Sequence, residues 1–228
     1  MKKIAILTAL YEEGGLIEEN FGKPLKTDLY GDFSIKTYAY LNKEIYFCNS
    51  GVGEISAAAC TQLLITLYNP DVIFNYGFAG GYKDYKIGDA VLIKGVVHYD
   101  FDTSAVDDCE RGRYLGKFDG PVIPTDEDFL NFVKKIDENI KVGILCSGDK
   151  FITDEAFKKD LYEEFGGTVY DMEGAAVVII SKNSKVPQIV VKVISDSGNA
   201  DEYYAFKDLL SDTKIKFVNL IKEIVEKL

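Results

Sequence analysis

Four places where an apolar run ends carry residues whose types could do chemistry. Ile4 to Leu10 runs into the adjacent acids Glu12 and Glu13. Asp71 to Tyr76 runs into Gly77-Phe78-Ala79-Gly80-Gly81, Lys141 to Cys146 into Asp149 to Ile152, and Gln188 to Ile194 into Asp196. Carboxyl groups can carry protons or face a cation, and glycines let a ligand approach the backbone closely. In an open α/β sheet, ligands bind beyond the carboxyl ends of the strands, so these four ends would meet at one site.

Other motifs carry two readings each. Asp171-Met172-Glu173 stands where Thr168 to Tyr170 meets a helix rich in Ala and Val. Acids are favoured at helix N-termini, which accounts for Asp171. It accounts less well for Glu173, whose apolar surroundings point it inward. Lys192 lies inside Ile189 to Ile194. On an edge strand it would face solvent, but apolar neighbours on both sides favour an inward, paired lysine near the site. Gly51-Val52-Gly53 lacks the third glycine of a dinucleotide fingerprint, since Ser56 stands there, and no P-loop lysine follows. It reads as a tight turn before a helix, touching a polar ligand group. His98 is the only histidine, and with no nucleophile motif beside it the structural reading outweighs a catalytic one.

The elements that must position these residues alternate between strand and helix. Lys3 to Ala9 and Asp71 to Tyr76 are apolar on both faces, as buried strands are. Asp32 to Tyr40 and Glu44 to Asn49 form a hairpin around Asn42-Lys43. Glu54 to Tyr68 is a helix stopped by Asn69-Pro70, Ala90 to His98 a long strand, and Asp154 to Phe165 a helix with its N-cap at Thr153 or Asp154. Residues 99–125 have no steady period, and a stretch that long is functional or at an interface. Met172 to Ser181 is a buried helix, and Phe206, Leu210, Phe217, Ile221, Ile224 and Leu228 keep helical spacing to the end of the chain. The fold class is α/β: residues 1–228 form a single three-layer domain with a central mixed, mostly parallel sheet flanked by helices.

With 26 Lys plus Arg against 37 Asp plus Glu, the 228-residue chain carries a net charge of −11. Such a chain repels phosphate backbones and anionic membrane surfaces, so no nucleic-acid or membrane partner is expected. No apolar run is long enough to span a bilayer, and a cytoplasmic location is expected. Cys48, Cys60, Cys109 and Cys146 show no short metal-site or redox spacing.

In order along nearly the whole chain, these segments resemble the 5′-methylthioadenosine/S-adenosylhomocysteine nucleosidases of the nucleoside phosphorylase superfamily. The resemblance rests on Ile4 to Glu13, Ser50-Gly51-Val52-Gly53 with Ala57-Ala58-Ala59, Pro70 to Ile73 with Gly77 to Gly81, and Lys86-Ile87-Gly88-Asp89. Ser147-Gly148-Asp149 with Phe151-Ile152, Asp171-Met172-Glu173 and Ile194-Ser195-Asp196 complete it.

The resemblance implies a nucleoside phosphorylase-like fold, a homodimer, no metal or organic cofactor, and hydrolysis of an N-glycosidic bond to release adenine. The small-molecule substrates would be 5′-methylthioadenosine, S-adenosylhomocysteine and 5′-deoxyadenosine. Asp196 matches the general acid, Glu13 the base that activates water, and Glu173 the ligand of the ribose hydroxyls. Met172 matches a residue packing on ribose, Phe151 one stacking on adenine, and Ile152 one bonding its edge. Leu10, Val52 and Phe206 match the surroundings of the 5′-substituent, and Ser195 adjoins the acid. Two positions depart from the family: Phe78 replaces a small polar residue near the nucleophile, and Lys192 stands where arginine is usual. Asp107 and Asp108 make the segment that caps the 5′ pocket more polar than usual. The start of the chain lacks the arginine motif of the hexameric phosphorylases, which favours water over phosphate. A purine nucleosidase or phosphorylase of shifted specificity, and a non-catalytic nucleoside-binding protein, are the alternatives.

Overall fold

The computed structural model describes residues 2–208 and 212–228; Leu210 lies outside them. The first half of the chain forms β1 (Lys2–Thr8), α1 (Tyr11–Glu18), β2 (Lys26–Tyr30), β3 (Phe33–Tyr40), β4 (Lys43–Asn49), α2 (Glu54–Tyr68), β5 (Val72–Gly81) and β6 (Ala90–His98). Then come α3 (Ser104–Asp107), β7 (Ile123–Pro124), α4 (Glu127–Ile136), β8 (Lys141–Ser147), α5 (Glu155–Phe165) and β9 (Val169–Asp171). Last are α6 (Gly174–Asn183), β10 (Gln188–Asp196), α7 (Ala200–Asp208) and α8 (Asp212–Lys227).

β5 lies parallel between β1 and β10, and β1 pairs in parallel with β4. β10 pairs with β6, β6 with β8 and β8 with β9, and β9 returns to β5 at Gly80 and Gly81. Those strands close into a ring, and β1, β4, β3 and β2 extend from it as an open sheet. Alternation along β1 shows why its run is apolar throughout. Ile4 and Ile6 face a cluster containing Val133 of α4 and Phe217, Ile221 and Ile224 of α8. Ala5 and Leu7 face the opposite one, with Ala57, Cys60 and Leu64 of α2 and Val177 of α6. With a helical layer on each face, the central strands have no polar side. Among the described residues no helix is long and apolar enough to cross a membrane.

Two sequence expectations change, and one helix stands where the sequence reading named no element. The glycine run Gly77 to Gly81 is no loop beyond the strand: β5 continues through it, with Gly77 opposite Lys192 and Gly80 opposite Asp196. Residues 126–140 contain α4, capped by Asp126, whose side chain accepts the Phe129 N–H at 3.1 Å. Its Phe129, Val133 and Ile136 spacing is the signal that marks it in the sequence. The C-terminal helical pattern is carried by α7 and α8. The β3–β4 hairpin closes through Leu41 and Asn42, at φ 46° and 61°, as a two-residue turn requires.

Helix α5 follows the segment Asp149 to Ile152, and its N-cap is Asp154, which accepts the N–H groups of Ala156 at 2.8 Å and Phe157 at 3.4 Å. Asp154→Ala should cost about 1 kcal/mol of stability, the usual value of an N-cap. A denaturant titration would read it as a lower midpoint with an unchanged slope.

Candidate active site

Glu13 sits in the first turn of α1 and folds back on the chain. Its Oε2 accepts the N–H groups of Ala9 and Leu10, each at 2.8 Å, and its Oε1 accepts the Phe78 N–H at 2.8 Å. The carboxylate therefore ties the start of α1 to β5. A Cβ at Gly77 would lie 2.7 Å from Glu13 Oε1, so only glycine leaves room for it. Of the two adjacent acids, Glu13 is buried and Glu12 exposed. Burial pushes the Glu13 carboxyl above its ordinary value, while the Lys192 ammonium and the three backbone donors hold it down.

Asp196 ends β10 at a register irregularity after Ile194. Ser195 Oγ donates to its Oδ2 at 2.7 Å and the Gly198 N–H to its Oδ1 at 2.7 Å. Burial raises this carboxyl too, against those two hydrogen bonds. A Cβ at Gly80 would come within 3.3 Å of Oδ1.

Asp171 and Glu173 mark the step from β9 to α6. Asp171 accepts the Gly174 N–H at 3.1 Å and the Ser147 hydroxyl, and so caps the helix. It also pairs with Lys192 at 2.8 Å, with both side chains nearly inaccessible. Glu173 accepts the Gly53 N–H at 3.0 Å and is pushed up to about 8, first by burial and then by Asp171. The turn before α2 thus presents two of its amides to protein carboxylates, Gly53 to Glu173 and Glu54 to Asp149 at 2.8 Å. Gly51 and Gly53, at φ 79° and 103°, make that geometry possible.

These groups meet in one cleft. Leu10, Glu13, Val52, Phe78, Phe151, Met172, Glu173, Ser195 and Asp196 all line it. Ile152 lines a recess beside it together with Asp196, Phe151 and Met172. Two expected substrate-binding residues are not on its surface. Lys192 lies beneath, because β10 turns that side chain to Asp171. Phe206 packs edge-on behind Phe78, ring centres 5.2 Å apart. The sequence reading missed Tyr203, which lines the cleft and meets the Phe151 ring edge-on at 5.9 Å; its signal was its place one helical turn before Phe206. His98 takes the structural reading: its Nδ1 lies 2.7 Å from the Tyr114 hydroxyl, outside the cleft. Among the described residues, no lysine or arginine lines the main cleft, and no cluster of three His, Cys, Asp or Glu side chains could hold a metal ion. Carboxyls around an apolar cleft suit a reacting group that becomes cationic.

The model of the Phosphorylase superfamily matches residues 3–228. The 5′-methylthioadenosine/S-adenosylhomocysteine nucleosidase of Shewanella pealeana is 32% identical over 223 residues, 91% of this chain and 92% of that one. Among solved structures, a Helicobacter pylori 5′-methylthioadenosine/S-adenosyl homocysteine nucleosidase matches with TM-score 0.91 and 29% identity over 100% of this chain and 99% of that one. It is complexed with an aminopyrrolopyrimidine joined to a pyrrolidinol that bears a propynylthio group. A futalosine hydrolase mutant of Helicobacter pylori matches with TM-score 0.92 and 28% identity over 100% of both chains.

Lys192→Met should destabilise the fold by about 3–5 kcal/mol, because it leaves the Asp171 carboxylate buried without its cation. Chemical denaturation would measure the loss. Gly77→Ala should lower both the melting temperature and the activity, because its Cβ displaces the Glu13 carboxylate from three backbone donors; thermal denaturation and a turnover assay would read the two losses.

Proposed function

The chain belongs to the phosphorylase superfamily and, within it, to the 5′-methylthioadenosine/S-adenosylhomocysteine nucleosidases, and from that premise we propose how its residues cleave the N-glycosidic bond of these substrates. The products are adenine and the 5′-substituted ribose, and residues 1–228 act as one catalytic domain. One observation carries the reading: Glu13 packs over Gly77 and Asp196 over Gly80, along one extended strand. With both carboxyls on the wall of one cleft, a sugar and an attacking water fit between them, as in inverting glycosidases.

Each residue then has a task. Asp196, raised by burial, assists protonation of adenine N7, so the base departs neutral. Glu13 accepts a proton from water, and its three backbone donors fix its orientation. Glu173 bonds the ribose hydroxyls and faces the sugar as it turns cationic. Met172 packs on the ribose, Phe151 stacks on adenine beside Ile152, and Leu10, Val52, Phe78 and Tyr203 enclose the 5′-substituent. Ser195 orients Asp196 through its 2.7 Å hydrogen bond. Lys192 acts from below, holding Asp171 and biasing Glu13 towards the carboxylate. An anionic phosphate finds no cation on the main cleft, which favours water as the acceptor.

The working unit we propose is a homodimer. Ile55 at the start of α2 and Val106 on α3 are each 82% exposed, and Asp149 ties the two segments together through the Glu54 N–H and Asp100. Large exposed apolar side chains are what a partner surface needs. Light scattering should give twice the monomer mass, and Ile55→Asp should halve it.

Asp196→Asn and Glu13→Gln should each lower kcat about a hundredfold or more with the fold retained. Adenine release should proceed without phosphate, on a panel of methylthioadenosine, adenosylhomocysteine and adenosine. Activity should fall at low pH as Glu13 gains its proton and at high pH as Asp196 loses its own. Full activity in Asp196→Asn would overturn the acid assignment.

A further inference from the structure

Beyond Asp196 the chain turns away through Ser197 and Gly198, and this turn is gripped from two sides. Glu202 of α7 accepts the Ser197 N–H at 2.8 Å and its hydroxyl at 2.7 Å. From the other side Lys158 of α5 donates to the Ser197 carbonyl oxygen. Gly198 has φ 88°, and a Cβ there would lie 2.2 Å from Lys158 Nζ. The ammonium therefore occupies the space that a side chain at 198 would need. Held this way, Gly198 directs its N–H to Asp196 Oδ1 at 2.7 Å.

Lys158 is 1% exposed, and burying an ammonium is costly unless something uses it. Its carboxylate partner, Glu155 at 2.6 Å, is itself 72% exposed. A methionine would fill the same space under α5 with no charge to desolvate. The lysine supplies two things a hydrocarbon cannot: a donor for the Ser197 carbonyl, and a positive charge facing Asp196.

We propose that Lys158 is a positioning residue for Asp196: with Glu202 as its opposite number, it clamps the 197–198 turn and sets the orientation and charge of the carboxyl. The proposal rests on the reading of Asp196 as the proton donor. The charges act in opposite directions, since Glu202 raises the Asp196 carboxyl and Lys158 lowers it. The other titratable groups around it are Lys150 before α5 and Asp171 and Tyr170 on β9, which line the same recess, and Glu13, Glu173 and Tyr203, which line the main cleft with it. The Tyr170 hydroxyl is turned away, donating to the Lys158 and Gly167 carbonyls at 3.2 Å. Clamp and acid are thus on three different elements, α5, α7 and β10, and the turn between them is the only covalent link from Asp196 to α7.

The test is the pH profile of kcat/KM for adenine release from methylthioadenosine, in Lys158→Met, Lys158→Arg, Glu202→Gln and Asp196→Asn. A proton donor loses activity as pH rises through its pKa. Removing the lysine should therefore move the alkaline limb up, and removing the glutamate should move it down. Lys158→Met should also lower kcat about tenfold to a hundredfold with KM little changed, the scale of a misplaced catalytic group. Lys158→Arg, which keeps the cation, should keep the wild-type limb. Unmoved limbs in both Lys158→Met and Glu202→Gln, with Asp196→Asn inactive, would overturn the clamp and leave the acid assignment standing. Full activity in Asp196→Asn would overturn the reading beneath it. Should Lys158→Met fail to fold, Glu202→Gln, which changes a solvent-side partner, decides by itself: a limb that stays in place overturns the proposal.

Discussion

The ion pair between Lys192 and Asp171 is the interaction on which the site depends. It joins the middle of β10 to the end of β9 at 2.8 Å, under the floor of the cleft. A lone ammonium there would be prohibitively desolvated, and so would the carboxylates above it. Near a protein surface, unit charges about 4 Å apart interact by about 4 kcal/mol, and more as water is excluded. The same cation opposes the upward pull of burial on Glu13 and on Glu173. One buried lysine thus lets several acids crowd around an apolar cleft without all of them being neutral. Its geometry is possible because β10 has helices on both faces and neighbours β5 and β6 on both edges.

Close packing sets the second condition. Gly77 and Gly80 lie at the places on β5 where Glu13 and Asp196 press against it, and Gly198 lies where Lys158 does. In each case the absence of a Cβ makes room for a charged group. The ring of strands then brings the ends of β1, β5, β9 and β10 together, so that residues far apart in sequence share one wall. Helix α6 adds a further economy: Asp171 and Ser147 cap its first turn, and the same Asp171 holds Lys192.

Much of this was legible in the residues. The apolar runs of β1, β5 and β10, the Asn69-Pro70 stop, the Asp154 cap and the inward lysine all follow from pattern and burial cost. The elements that escaped include α1, whose first turn carries two acids, β2, whose Lys26–Tyr30 run is mostly exposed, and α4, even though its Phe129, Val133 and Ile136 spacing marks an apolar stripe. The glycine run misled for a specific reason. Glycine marks either a turn or a close approach, and the sequence does not say which. Phe206 likewise carried the right type for a cleft wall, yet stands one layer back because Phe78 fills the space in front of it.

By itself, then, the sequence determined the kind of fold, the strand ends at which a site would form, and the inventory of acids available to it. Those are consequences of local period, turn chemistry and charge, which act over a few residues. Only the tertiary structure decided that Glu13 and not Glu12 turns inward, that the Gly53 amide bonds Glu173 while that of Gly51 bonds the Ala9 carbonyl, and that Lys192 lies under the cleft and not in it. Those outcomes depend on strand register and on which side chain reaches a shared space first. Register is set by pairings such as Gly77 with Lys192 and Gly80 with Asp196, between residues more than a hundred positions apart.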